Sequence, residues 1–225
     1  GAELAAREYS MRGGTPQPLA PLSSIKIFHE LGYVWYHTEN MGRDEQRNIV
    51  DWVKAQLLWD ASQDAEALLK TFCEQYYGAA GDDVHSVLQI IDSSIRKLPK
   101  IRLGGYGDTQ SIMTDAVIGE GRKILAASLN KVSGREKKRL VRFNDTFEMF
   151  ALRGLYVRAW WTAMNERTPK AKAKTLEEIA RFIRFWEERD LGETCSPAIL
   201  EGATELPKRV QNIKEKTVPT ASENL

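Results

Sequence analysis

The chain has 225 residues, 42% of them hydrophobic, and a polypeptide of this length and apolarity buries a core without help from disulfides or metal. Its 32 Lys and Arg stand against 31 Asp and Glu for a net charge of +1, which excludes a globally basic nucleic-acid binder and an acidic solvating tail. No apolar run approaches the ~18 residues of a membrane span, the first residues do not follow a secretory-leader pattern, and the start Gly1-Ala2-Glu3-Leu4, without Met, reads as processed or cut from something longer.

Residues 1–22 carry Gly13-Gly14 and prolines at 16, 18 and 21, a composition that predicts an irregular loop. Ser23 or Ser24 is placed to cap a short helix through Ile27, Phe28 and Leu31, and Gly32 to stop it. Tyr33-Val34-Trp35-Tyr36, aromatic and β-branched, predicts one short strand. Helix then strand is half of an α/β unit, and a lone parallel strand needs partners or packing helices.

From about residue 44 the pattern is helical. Ile49, Trp52, Val53 and Leu57 make one apolar face, and Ala65, Leu68, Leu69, Phe72, Cys73 and Tyr76 a second that Gly78 terminates. Val84, Val87, Leu88, Ile91, Ile95 and Leu98 make a third, stopped by Pro99. Leu103-Gly104-Gly105-Tyr106-Gly107 reads as a hinge or turn, after which Asp108 caps a helix over 109–131. Ser133 and Glu136 have capping-box spacing before a long seam of Leu140, Phe143, Phe147, Phe150, Gly154, Val157, Trp161 and Met164. Thr175 and Glu178 have the same spacing before Leu176, Ile179, Ile183 and Trp186, and Gly192 follows. Charge and prolines at 207 and 219 predict a loosely held tail over 201–225. The fold class is mainly α: a bundle of five or more helices over 44–200, with a small N-terminal α/β remnant within 1–43.

Chemistry is sparse. Cys73 falls on an apolar face as a small buried hydrophobe, and His29, His37 and His85 lack metal-ligand spacing, so no metal site is expected. No dinucleotide, phosphate-loop or serine-hydrolase motif occurs, and no cofactor is expected. Trp52, Trp161 and Trp186 fall on apolar faces and read as core. The basic runs at 135–142 and 167–174 read as solvated surface, with no nucleic-acid partner. The densest polar and aromatic stretch is Trp35, Tyr36, His37, Glu39 and Asn40, at the exit of the strand, where α/β folds gather ligand sites. These five are the candidate substrate-binding residues; the competing reading is a polar loop beside partly buried aromatics. Glycoside hydrolysis needs two carboxylates, and only Glu39 is evident here, because Asp44 and Glu45 suit a helix N-terminus. The catalytic residues are not assigned.

The string from Asp51-Trp52-Val53-Lys54 through Leu57-Leu58-Trp59-Asp60, then Leu68-Leu69, Phe72 and Tyr76-Tyr77-Gly78-Ala79-Ala80, resembles the C-terminal region of uncharacterised bacterial glycoside hydrolase-like proteins. These are similar in layout to α-glucuronidases and hexosaminidases, a (β/α)₈ barrel followed by a helical domain. The resemblance implies that residues 26–31 and 33–40 are the last helix and strand of a barrel whose other strands lie upstream. It further implies an oligosaccharide ligand, catalytic groups on earlier strands, a periplasmic or extracellular setting, and no turnover by this chain alone. The reading from a different class is a non-enzymatic helical interaction or scaffold module.

Overall fold

The computed structural model describes residues 4–9, 16, 19, 21–39, 44–99, 108–189, 191 and 197–213. The N-terminal expectation needs correction at its start. Residues Leu4–Tyr9 form a strand, β1, which pairs in parallel with β2, Tyr33–Glu39. Helix α1, Pro21–Glu30, connects them and completes a β-α-β unit. Leu4-Ala5-Ala6-Arg7 lacks the alternation and branched residues that mark a strand, so pairing with β2 rather than local propensity makes it one. The register runs from Leu4 opposite Tyr33, through an irregularity, to Tyr9 opposite Glu39. Phe28 of α1 lies over the sheet, its ring 5.2 Å from that of Tyr33 and 6.3 Å from that of Tyr36.

The next three helices follow the apolar periodicity closely. In α2, Glu45–Trp59, Asp44 is the N-cap and accepts from the Arg47 backbone N–H at 3.0 Å, while Ile49, Val53 and Leu57 are buried. In α3, Ala65–Tyr77, Asp64 accepts from the N–H groups of Glu66 and Ala67. This helix ends at Gly78, whose φ of 57° is the positive value expected of the stop signal. A 3₁₀ turn, Gly78–Ala80, leads into α4, Gly81–Arg96, which buries Val84, Val87, Leu88, Ile91 and Ile95. Cys73 is fully buried where α3 faces α4, and burial pushes its thiol up to about 12.

The expected helix over 109–131 is two helices. Thr109–Ile112 forms α5 and Asp115–Ser128 forms α6, with Thr114 capping the second by accepting from the Val117 N–H at 3.3 Å. The break is a packing effect: Met113 is fully buried against Gly154 of α7, Gly134–Glu166, where a side chain at 154 would come within 2.8 Å of the Met113 Cβ.

Helix α7 has 33 residues, about 50 Å of axis. Its seam is buried from Leu140 to Val157, but Trp161 and Met164 are 43% and 37% exposed, against the expectation of a core Trp161. Beyond Val157 the inward positions are Ala159 and Ala163, because a 3.6-residue turn drifts off a 3.5-residue repeat. Neither expected capping box forms. Ser133 makes no side-chain cap bond, and the Glu136 carboxyl instead packs over Gly78, where a Cβ would lie 2.6 Å from it. Helix α8, Pro169–Arg189, starts well before Thr175, with Pro169 in the first turn and Thr168 accepting from the Ala171 N–H at 3.2 Å. The Thr175 hydroxyl lies 2.9 Å from the Ala159 carbonyl and 2.8 Å from that of Ala171, so it ties α8 to α7. Ile179, Phe182 and Trp186 are buried, and Phe182 meets Tyr156 edge-on at 5.1 Å. The tail expectation is also corrected: Pro197–Gln211 is a helix, α9, with Ala203 and Val210 fully buried. Residues 214–225 lie outside the described residues. The chain is mainly α, and none of its described helices is long and apolar enough to cross a membrane.

Candidate functional site

Of the five residues singled out, Trp35, Tyr36, His37 and Glu39 lie within β2 rather than after it, and the three with described side chains do not share one face. Trp35 is 65% exposed and His37 is also exposed, whereas Tyr36 is half-buried on the opposite side, against Phe28. Glu39 ends β2 and its side chain lies outside the described residues, as does all of Asn40. Val34, Ile27, Leu31, Leu58 and Trp59 are further exposed apolar side chains, the last 91% exposed. No group of three or more His, Cys, Asp and Glu suited to a metal occurs among the described residues.

A second concentration of chemistry lies where α2 begins beside α7. Asp44, Glu45 and Arg47 are all buried. The Glu45 N–H donates to the Thr146 hydroxyl at 3.2 Å, and its carboxylate pairs with Arg142 Nε at 3.1 Å. Asp44 Oδ2 and the Tyr77 hydroxyl are buried without a hydrogen-bond partner among the described residues. Burial raises the Asp44 and Glu45 carboxyls above the usual carboxylate range, and the nearby guanidiniums Arg47 and Arg142 only partly oppose it. The Tyr77 phenol is likewise pushed up, chiefly by burial and then by the Glu45 charge.

Outward from Glu45, the first turns of α7 and Tyr76 of α3 enclose an open hollow of about 840 Å³. Arg139 lines it, with its guanidinium carbon 3.9 Å from the Tyr76 ring centre and Nη1 donating to the Tyr76 carbonyl at 3.0 Å. Arg142 Nη2 donates to the Tyr76 hydroxyl at 3.4 Å. Sequence reasoning passed over this hollow, because charged residues at 135–142 look like any solvated helix face until α2 and α3 are brought against them.

The raised carboxyls have a consequence for pH. A carboxyl whose folded-state pKa exceeds its unfolded value stabilises most below the unfolded value, and that contribution is lost as pH rises through the folded value. Glu45→Gln is therefore expected to gain stability relative to the parent as pH rises from about 4 towards 7, measured by urea unfolding at each pH. A difference that stays constant across that range would show that Glu45 is not disfavoured as an anion.

No curated protein and no solved structure matches this chain. Residues 14–89, from before α1 into α4, match the model of a family described as a domain of unknown function, DUF4838.

Proposed function

We propose that this chain is the C-terminal helical portion of a carbohydrate-active, glycoside hydrolase-like enzyme. In this reading β1–α1–β2 continues a larger parallel sheet, supplied by a barrel upstream in the same protein, and the bundle buttresses it. The observation that supports it most is the small size of the described sheet. Parallel sheets are characteristically covered on both faces, and the two strands found among the described residues would be marginal by themselves. Here Phe28 of α1 packs on Tyr33 and Tyr36, while Val34 and Trp35, neighbours whose side chains point to opposite faces of the strand, stand 64% and 65% exposed. Leu4, Ile27 and Leu31 of the same unit are also exposed, at 47%, 52% and 61%.

Completion of the sheet would place the β2 exit at the carboxyl end of the strands, where rings stack on sugar faces and carboxylates bind hydroxyl pairs. The test is activity of the protein expressed from its full native reading frame on a panel of aryl glycosides and glycuronides. Turnover is expected from that protein and none from residues 1–225 alone. Glu39→Ala and Tyr36→Ala in the active protein are each expected to lower kcat/KM at least about tenfold. Unchanged kcat/KM in both variants, with folding intact, would make this stretch packing rather than site. Absence of turnover on every glycoside would favour the scaffold reading.

A further inference from the structure

The hollow at the start of α7 belongs to neither the sheet nor its exit loop, and the proposal above leaves it unused. We infer that it binds a soluble ligand bearing two or more linked phosphate groups. Arg135, Lys137, Lys138, Arg139 and Arg142 line it together with Tyr76. Glu136 is the acid of the same turn and Glu45 pairs with Arg142, so the five cations exceed these two acids by three, in a chain whose net charge is +1.

Helix stability does not account for that cluster. The helix dipole is positive at its N-terminus, so Arg135, Lys137 and Lys138 stand at the end of α7 where cations are disfavoured, with Glu136 the one acid in the first turn. Nor are the charges neutralised within the fold. Arg135, Lys137 and Lys138 have no ion pair among the described residues, and all three are exposed.

Two features separate this surface from an ordinary solvated face. Arg139 and Arg142 are held in place before any ligand arrives, the first by the Tyr76 carbonyl and ring, the second by the buried Glu45 carboxylate at 3.1 Å. Guanidiniums fixed in this way lose little freedom on binding, and their planar forks match phosphate oxygens. In addition, a hollow of about 840 Å³ is far larger than one phosphate and lies in the range of small-molecule sites. A linked phosphate chain carries one negative charge on every phosphate and a second, partial one on each terminal phosphate, a charge density that complements an excess of three cations.

The experiment is isothermal titration calorimetry of the chain with inorganic tripolyphosphate at low salt. Saturable one-to-one binding is expected, weakening steeply as salt is raised. Lys137→Glu with Lys138→Glu should weaken it at least tenfold, and the milder pair Lys137→Gln with Lys138→Gln should weaken it less, with unfolding midpoints near the parent's in both. Lys170→Glu with Lys174→Glu makes the same charge change elsewhere on the molecule and should leave binding within twofold of the parent. Three results would overturn the inference: no binding by the parent, equal loss in the control pair, or citrate binding as tightly as tripolyphosphate. Binding of a DNA duplex without binding of tripolyphosphate would also overturn it, in favour of a nucleic-acid face.

Discussion

Replacing Phe147 with Ala is expected to lower the unfolding free energy by about 3–5 kcal/mol, the range for deleting a fully enclosed ring. Phe147 is 2% exposed and sits in the middle of α7, with Phe143 at 2% and Phe150 at 1% on the same stripe. Its ring lies directly over Gly121 of α6, so close that a methyl group at 121 would collide with it. Glycine at that point is a matter of space, since it lets α6 carry no side chain where the ring lies. The same fact makes the truncation costly. Nothing at 121 can move in to fill the space, so the variant keeps most of its cavity. Urea unfolding of parent and variant measures the effect, and coincident midpoints would mean that this face of α7 is not in the core.

The second large effect is expected at Asp92, a carboxylate only 3% exposed in the fourth turn of α4. Its Oδ1 accepts from the backbone N–H of Leu19 at 2.7 Å, and its Oδ2 from Arg96 Nε at 2.5 Å. Leu19 itself is 7% exposed, and its carbonyl accepts from the Leu22 N–H at 2.9 Å as α1 begins. One side chain thus ties the chain just before α1, within the β-α-β unit, to the bundle across 73 residues of sequence. Asp92→Ala leaves a buried N–H without its acceptor and should cost about 1.5–3 kcal/mol. Asp92→Asn keeps an acceptor oxygen and should recover most of that. The Arg96 contact adds little, because that side chain is 63% exposed and its charge is screened. Thermal unfolding of the three proteins decides the matter; equal midpoints would show that the Leu19 N–H is satisfied in some other way.

What could be read from the chain in advance divides along a physical line. Helices that carry a long apolar stripe and a side-chain stop signal were legible: Gly78 ends α3 with positive φ, and Ile49, Val53 and Leu57 face the core as spaced. Features decided by contacts distant in sequence were not. Strand β1 exists because β2 is there to pair with it, and the α5–α6 break exists because Met113 packs at Gly154. Thr175 has the spacing of a cap, yet its hydroxyl is spent on carbonyls of α7 and α8 because Thr168 and Pro169 had already started the helix. The candidate site shows the same division. Trp35 to Asn40 stood out because aromatic and polar residues sit side by side in the sequence, while the α7 hollow needs Tyr76 and Arg139, 63 residues apart.

Buried Cys73 gives the molecule an internal clock. Only a thiolate reacts at a useful rate with disulfide or maleimide reagents, and a thiol held at about 12 by burial between α3 and α4 offers almost none at neutral pH. In a chain with Cys195 exchanged for Ser, the rate of modification therefore counts the excursions in which α3 lifts from α4. Its limit at high reagent concentration is the opening rate itself, and its dependence on dilute urea separates a local separation of that helix pair from unfolding of the whole bundle.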